Sequence, residues 1–130
     1  MDKIDWNMVR EVLRVAHDSM GIDYYDTPDE SQLCEKVMEA YPPDHADWST
    51  YDASYTYAIG DDFVMKFKLM SGEVRMIGLT SRGYDLFMVL DNDELMSKIV
   101  DLATENGISL TANIIIEAGR RLSLKKMGLE

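Results

Sequence analysis

The chain has few of the features that assign a protein to a specialised class. Among its 130 residues Cys34 is the single cysteine, so no disulfide can form within the chain and a disulfide-stapled fold is excluded. Three prolines and eight glycines are too few for a collagen-like or low-complexity chain. No apolar run approaches the roughly 20 residues that cross a bilayer. Residues 1–5 are not a basic stretch followed by an apolar core, so we expect a cytoplasmic protein without a secretory signal or a membrane partner.

Basic residues are also scarce. The chain has 13 Lys and Arg against 24 Asp and Glu, a formal net charge of −11. The acid is concentrated in residues 1–62, whereas Lys66, Lys68, Arg75 and Arg82 give the segment 63–83 a net positive charge. Because nucleic-acid affinity depends on neutralising phosphates, the whole chain is not expected to be a general nucleic-acid binder. A local basic patch can still dock selectively, since salt screens more distant charges.

The apolar periodicity predicts two helices in the first third of the chain. One buried helical stripe with i, i+3, i+4, i+7 spacing is formed by Val9, Val12, Leu13, Ala16 and Met20. It predicts a helix over residues 5–19 capped by Asp2 or Asp5. A second helix is predicted over residues 27–41, with Thr27 as its cap and Pro28 in its first turn.

The middle of the chain is expected to alternate between helix and strand. Residues 44–53 show no period and are predicted to be a loop, and the alternation of Tyr55, Tyr57 and Ile59 predicts a strand. Phe63, Phe67 and Met70 share one helical face, which predicts a helix over 61–70. A strand at 74–78 and helices at 81–90, from 91 or 92 to 105, and from 109 or 111 onwards complete the expected order, with caps at Thr80, Asn92 and Thr111 among the candidates. Asn106-Gly107 is the expected C-cap of the helix that ends at 105, and Gly83 is expected to allow a close approach in the first turn of the helix over 81–90.

A helix–turn–helix followed by a β element is the pattern of a winged helix. The segment Leu79-Thr80-Ser81-Arg82-Gly83 resembles the wing-to-helix junction of bacterial winged-helix regulators, including the MarR type. Over most of residues 2–127 the chain also resembles an uncharacterised winged-helix family of phage and prophage genomes, without the Trp that often follows Leu-Thr in that family. The resemblance implies a mainly α (α+β) fold with a small β wing. We expect a core over 1–90, with an inserted aromatic loop at 41–58, and a C-terminal helical extension over 91–130 packed on the same domain.

Two functions follow from this expectation, and an enzyme with an unrecognised site is the third and least favoured alternative. In the first, the chain is a small regulatory or accessory protein that binds DNA through residues 63–83. Its predicted helix would enter the major groove, and Lys66, Lys68, Arg75 and Arg82 would contact phosphates. That helix offers no Arg, Asn or Gln, the side chains that best read base edges, which weakens sequence-specific recognition.

In the second, the acidic surface binds a protein. Trp and Tyr are favoured anchors of interfaces, and the aromatic segment combines them with carboxylates. The candidate residues are Trp48, Tyr51, Asp44, Asp47 and Asp52. A phage counter-defence protein that blocks a host nucleic-acid-binding factor would be one form of such a module.

Catalytic, cofactor and metal sites are not expected. The sequence has no phosphate-binding loop, no Gly-x-Ser-x-Gly and no His-Glu-x-x-His motif. His17 and His45 have too few neighbouring ligands for a metal site, and Cys34 has no evident activating partner. The C-terminal helices are a candidate homodimer surface. Most of six methionines are expected to fill the core, with an adaptable interface as the alternative: Met65, Met70, Met76, Met88, Met96 and Met127.

Overall fold

The computed structural model describes residues 4–20, 23, 26–42, 48–60 and 62–129. It contains helices and one small antiparallel sheet, and it divides into two compact units, residues 1–84 and 85–130. The elements in chain order are α1 (Trp6–Asp18), α2 (Glu30–Ala40), α3 (Trp48–Ala58), β1 (Val64–Lys68), β2 (Val74–Leu79), α4 (Ser81–Leu90), α5 (Asp93–Glu105) and α6 (Ala112–Lys126). The expectation of a mainly helical α+β chain is confirmed at this level.

Helix α1 is the centre of the first unit. It packs against α2, α3 and β2. Its predicted stripe is fully buried from Val9 to Ala16, and Met8 joins it. The prediction was wrong for Met20, which lies beyond the end of the helix and is 51% exposed. Asp5 is the N-cap, as predicted, because its side chain accepts hydrogen bonds from the backbone N–H groups of Asn7 and Met8.

Asp5 also ties the three helices together. Its Oδ2 accepts a hydrogen bond of 2.6 Å from the Tyr41 hydroxyl at the end of α2, and its backbone N–H donates to Ser54 Oγ of α3 at 2.7 Å. The Tyr51 hydroxyl of α3 donates to the Tyr41 carbonyl at 3.0 Å. The hydrogen bond to Asp5, together with burial, raises the pKa of Tyr41 to about 12. Burial is the main cause of the raised pKa of Tyr51.

The sequence prediction was wrong between residues 48 and 70. Residues 48–58, predicted as a loop and most of a strand, form helix α3, so the inserted aromatic loop is not a loop over 48–58. Residues 43–47 lie outside the described residues. The tyrosines fit both periods, but the buried positions of α3 have helical spacing. The predicted helix of 61–70 is contradicted by strand β1, Val64–Lys68; Phe67 in the strand and Met70 in the turn after it are exposed. Apolar spacing misled here because these side chains face no core.

Two smaller corrections concern the second helix and the methionines. Asp29, not Thr27, caps α2 in a capping box with Gln32, and the Thr27 side chain is buried instead. Among the six methionines expected mostly in the core, Met76 is buried. Four others are exposed: Met65, Met70, Met88 and Met127.

The β-hairpin, residues 64–79, is a two-stranded ladder. Its antiparallel register pairs Val64 with Leu79 and Lys68 with Val74, with an irregularity between Met65 and Lys66. The other edge of β2 meets the segment before α2, because the Met76 N–H donates to the Pro28 carbonyl at 2.8 Å and Asp29 forms a bridge with Arg75.

The start of α4 is held against residues 62 and 63, which lie directly before β1. Thr80 caps the helix, since its Oγ1 accepts from the Gly83 N–H at 3.0 Å, and it also donates to the Asp62 carbonyl at 2.6 Å. A Cβ added to Gly83 would lie 2.0 Å from the Phe63 carbonyl oxygen. The predicted role of Gly83, a close approach in the first turn of α4, is confirmed.

The second unit contains the rest of α4 together with α5 and α6. Asn92 and Thr111 cap α5 and α6, and Asn106 is the C-cap of α5, as predicted. Gly119 lets α6 approach α4 closely, because a Cβ there would lie 2.5 Å from Val89 Cγ2. Ile99 of α5 and Ile115 of α6 are buried in this unit.

We expect Gly83→Ala to destabilise the protein by about 2–3 kcal/mol or more, because the contact at 2.0 Å is with rigid backbone. This exceeds the gain of roughly 1 kcal/mol that alanine brings to a helix interior. Urea unfolding followed by circular dichroism measures the change, with Asp85→Ala on the same helix as the control. A Gly83→Ala variant as stable as the parent would contradict the close approach.

The raised pKa of Tyr41 predicts a loss of stability in alkali. A folded-state pKa above the unfolded value contributes stability that is complete below about pH 10 and is lost as pH rises through about 12. We expect Tyr41→Phe to be less stable at neutral pH and to lose less stability across that window. Urea midpoints measured from about pH 8 to about pH 11.5 test this, with Tyr84→Phe as the control. Parallel curves for parent and Tyr41→Phe would show that the hydrogen bond to Asp5 does not stabilise the fold.

Candidate interaction surfaces

The four basic residues proposed for DNA contact have different environments. Arg75 lies on β2 with a side chain only 15% exposed. Its guanidinium donates to the Thr27 carbonyl at 2.8 Å, to Gln32 Oε1 at 3.4 Å and to Glu73 Oε2 at 3.2 Å. Arg75 therefore holds the segment before α2 against the hairpin, and its charge is already partnered within the fold.

Lys66 and Lys68 lie on the exposed strand β1. The register places them opposite Met76 and Val74, so the two lysines share one face of the ladder, and Phe67 lies on the other face opposite Arg75. Arg82 is in the first turn of α4, with its guanidinium carbon 5.5 Å from the centre of the Phe63 ring, a cation–π arrangement. The structure thus brings Lys66 and Lys68 to one surface and gives Arg75 a structural role.

The residues proposed for protein binding also differ in their exposure to solvent. Trp48 begins α3 and is 47% exposed, and Asp52 is exposed one turn later. Tyr51 is buried, with its hydroxyl on the Tyr41 carbonyl and its ring in an edge contact with Trp48 at 5.7 Å. It belongs to the core because its hydroxyl finds a buried acceptor, and the prediction of a surface anchor was wrong. Asp44 and Asp47 lie outside the described residues.

An acidic groove on α2 was missed by the sequence reasoning. It has a volume of about 360 Å³ and is lined by Asp26, Pro28, Gln32, Glu35, Lys36 and Glu39. Glu35, Lys36 and Glu39 are exposed on the helix, while Leu33 and Val37 face the core. The sequence signal that could have indicated this groove is the local density of negative charge, because the described residues between positions 23 and 58 carry seven carboxylates and one lysine.

A second groove lies within the second unit, beside the start of α5 and the end of α6. Its volume is about 380 Å³, and Glu94, Lys98, Lys125 and Lys126 supply its charged lining. Lys98 is 3.5 Å from Glu94. Glu117 pairs with Arg120 at 2.6 Å and with Arg121 at 3.1 Å, and hydrogen bonds from these two arginines lower the pKa of Glu117. The homodimer expected through these helices stays a prediction.

The residues weighed for metal or nucleophilic chemistry sit apart from these grooves. His17 Nδ1 lies 3.4 Å from Asp18 Oδ1, and the Cys34 thiol lies 3.8 Å from the Met38 sulfur; His45 is outside the described residues. Across the described part of the chain, no group of three or more His, Cys, Asp or Glu side chains is placed to hold a metal ion. Nor does any helix there combine the length and the apolar character that a bilayer crossing needs.

Comparisons with protein-family models, with curated proteins and with solved structures found no match for this chain. The resemblance to a phage and prophage winged-helix family therefore stays a prediction.

The different environments of the basic residues predict different effects of substitution. We expect Arg75→Ala to lower the free energy of unfolding by about 1–3 kcal/mol, because it leaves the carbonyl of buried Thr27 without its partner. Lys66 and Lys68 are exposed, so Lys66→Ala and Lys68→Ala should each change the free energy of unfolding by no more than about 0.5 kcal/mol. Chemical denaturation of the three variants tests this. Equal stability of Arg75→Ala and the lysine variants would remove the structural role of Arg75.

Proposed function

We propose that residues 4–84 form a winged-helix-like scaffold. Two observations support this: the order of three helices followed by a hairpin, and the contacts of residues 28 and 29, by one hydrogen bond and one isolated bridge, with the edge of β2 that faces away from β1. In that arrangement α3, and not the segment 61–70, occupies the position of the helix that a DNA-binding relative would place in the major groove.

The surface of α3 does not suit that role. Its exposed residues are Trp48, Ser49, Asp52 and Thr56, and the helix carries no lysine or arginine. The neighbouring helix α2 adds Glu30, Glu35 and Glu39 against the single Lys36. Phosphate binding requires cations at the contact surface, and here the described residues offer carboxylates.

The function that this geometry supports best is non-enzymatic protein binding. The partner would present a basic surface, and its Arg or Lys side chains would enter the acidic groove and pair with Asp26, Glu35 and Glu39. The observation that carries the proposal is this groove on a helical scaffold whose α3 lacks cations. Each exposed ion pair contributes only about 0.2–1 kcal/mol, so the groove would act through several pairs and by steering the encounter. One biological form of this function is a phage inhibitor of a host nucleic-acid-binding protein, since nucleic-acid-binding proteins have basic surfaces.

DNA binding through the β-hairpin is the second candidate. Lys66 and Lys68 share one exposed face of β1, the position from which a wing contacts the DNA backbone. With Arg75 partnered inside the fold, this site has fewer cations than the sequence alone indicated.

Charge reversal with a matched control tests the acidic groove. We expect the full chain to bind an end-blocked arginine-rich peptide, and Glu35→Lys with Glu39→Lys to weaken binding by about tenfold. Asp101→Lys with Glu105→Lys makes the same change in net charge on α5, and we expect it to have a much smaller effect. Fluorescence anisotropy at physiological salt gives both affinities.

Equal weakening by the two pairs would show attraction to the net charge alone and would reject the groove. The same titration with mixed-sequence duplex DNA tests the second candidate. The hairpin function would be favoured if the chain binds DNA, if Lys66→Glu with Lys68→Glu abolishes that binding, and if the peptide does not bind at the groove.

A further inference from the structure

The β-hairpin exposes four large apolar side chains. Between residues 65 and 74, Met70 is fully exposed, and Met65, Phe67 and Val74 are each exposed by 37–45%. Large exposed apolar residues grouped on one element mark interaction surfaces more often than isolated ones do. The hairpin is held near its turn by the Arg75 contacts with Thr27 and Gln32, so the exposed strands are anchored on the scaffold.

Strand β1 is an edge strand. The sheet has the order β1-β2, and in the described ranges no other strand pairs with β1. The far edge of β2 is already occupied by residues 28 and 29. An edge strand presents backbone N–H and C=O groups that an added strand can pair with.

The side chains of β1 restrict which strand can add. Lys66 and Lys68 lie on one face and Phe67 on the other. A strand beside β1 would place two alternate residues opposite the lysines and the residue between them opposite Phe67. Carboxylates opposite the lysines are favourable, whereas like charges directly opposite each other are destabilising. An antiparallel second copy of β1 centred on Phe67 would set Lys66 against Lys68, so charge disfavours self-pairing.

We propose that the outer edge of β1 binds an acidic peptide as an added strand. The ligand is an extended segment in which Glu or Asp alternates with an apolar residue, with the carboxylates opposite Lys66 and Lys68 and the apolar residue against Phe67. This site is separate from the acidic groove on α2 and does not depend on it. It gives the chain a second binding surface of opposite charge.

The probe is an end-blocked, fluorescein-labelled octapeptide that alternates glutamate with valine. It is titrated against the full chain at physiological salt, where screening beyond about 8 Å limits the effect of the net charge of −11. We expect Lys66→Glu with Lys68→Glu to reduce affinity at least tenfold and to bind the lysine–valine version of the peptide instead. Lys125→Glu with Lys126→Glu carries the same charge change on α6 and should leave binding within about twofold.

Amide hydrogen exchange locates the bound peptide. We expect protection to increase at residues 64–69 in the complex and not on α2. The proposal would be overturned if the two pairs of lysine variants weaken peptide binding equally. It would also be overturned if the bound peptide adds no protection in β1. Absence of binding would overturn it too, in which case the lysines serve to prevent edge-to-edge pairing. Protection of β1 by duplex DNA, and not by the peptide, would assign this surface to nucleic acid instead.

Discussion

The burial of one face of α1 is the interaction on which the first unit depends. Met8, Val9, Val12 and Leu13 are fully buried, and α2, α3 and β2 all pack on this helix. At about 1.5–3 kcal/mol for each large side chain, these four contribute roughly 6–12 kcal/mol before the entropy of ordering is counted. Surface ion pairs contribute at most about 1 kcal/mol each, so packing on α1, and not the abundant charge, determines the arrangement.

Polar groups then specify how the elements sit around α1. Asp5 caps α1, accepts from Tyr41 and donates through its backbone to Ser54, so one residue joins the start of α1 to the end of α2 and the middle of α3. Arg75 has the equivalent role at the sheet, because it joins β2 to the Thr27 carbonyl before α2. Buried polar groups of this kind cost free energy when unpaired, and for that reason they favour one arrangement over its alternatives.

The fold leaves charges of opposite sign on different elements of the scaffold. Acidic side chains line the groove on α2, and two lysines occupy one face of the exposed strand β1. Neither set of charges is needed for the core. Because α3 carries no cation, that helix supplies no charge for phosphate binding. Both proposals, protein binding at the acidic groove and strand addition at β1, rest on this separation of charge.

Local sequence signals were sufficient wherever cap and periodicity agreed over a long segment. Helices α1, α4, α5 and α6 have a capping side chain directly before an apolar stripe, and they were predicted close to their observed bounds. Between residues 48 and 70 the signals conflicted. Tyr51 and Tyr55 are spaced for a helix, yet Tyr55 and Tyr57 alternate like a strand, and Phe63 and Phe67 suggested a helix where β1 pairs with β2. Burial against α1 and pairing with β2 settled both segments.

For the candidate surfaces, too, some properties followed from the sequence and others only from the tertiary structure. The sequence by itself determined the charge balance, the capped helices and the two sets of residues worth considering. Only the tertiary structure decided that Arg75 donates a hydrogen bond to a carbonyl 48 residues away and that Tyr51 is buried. It also decided that Asp26, Glu35 and Glu39 line one groove. The physical reason is that capping and periodicity depend on residues a few positions apart, whereas the availability of a side chain for a partner depends on contacts made by distant segments.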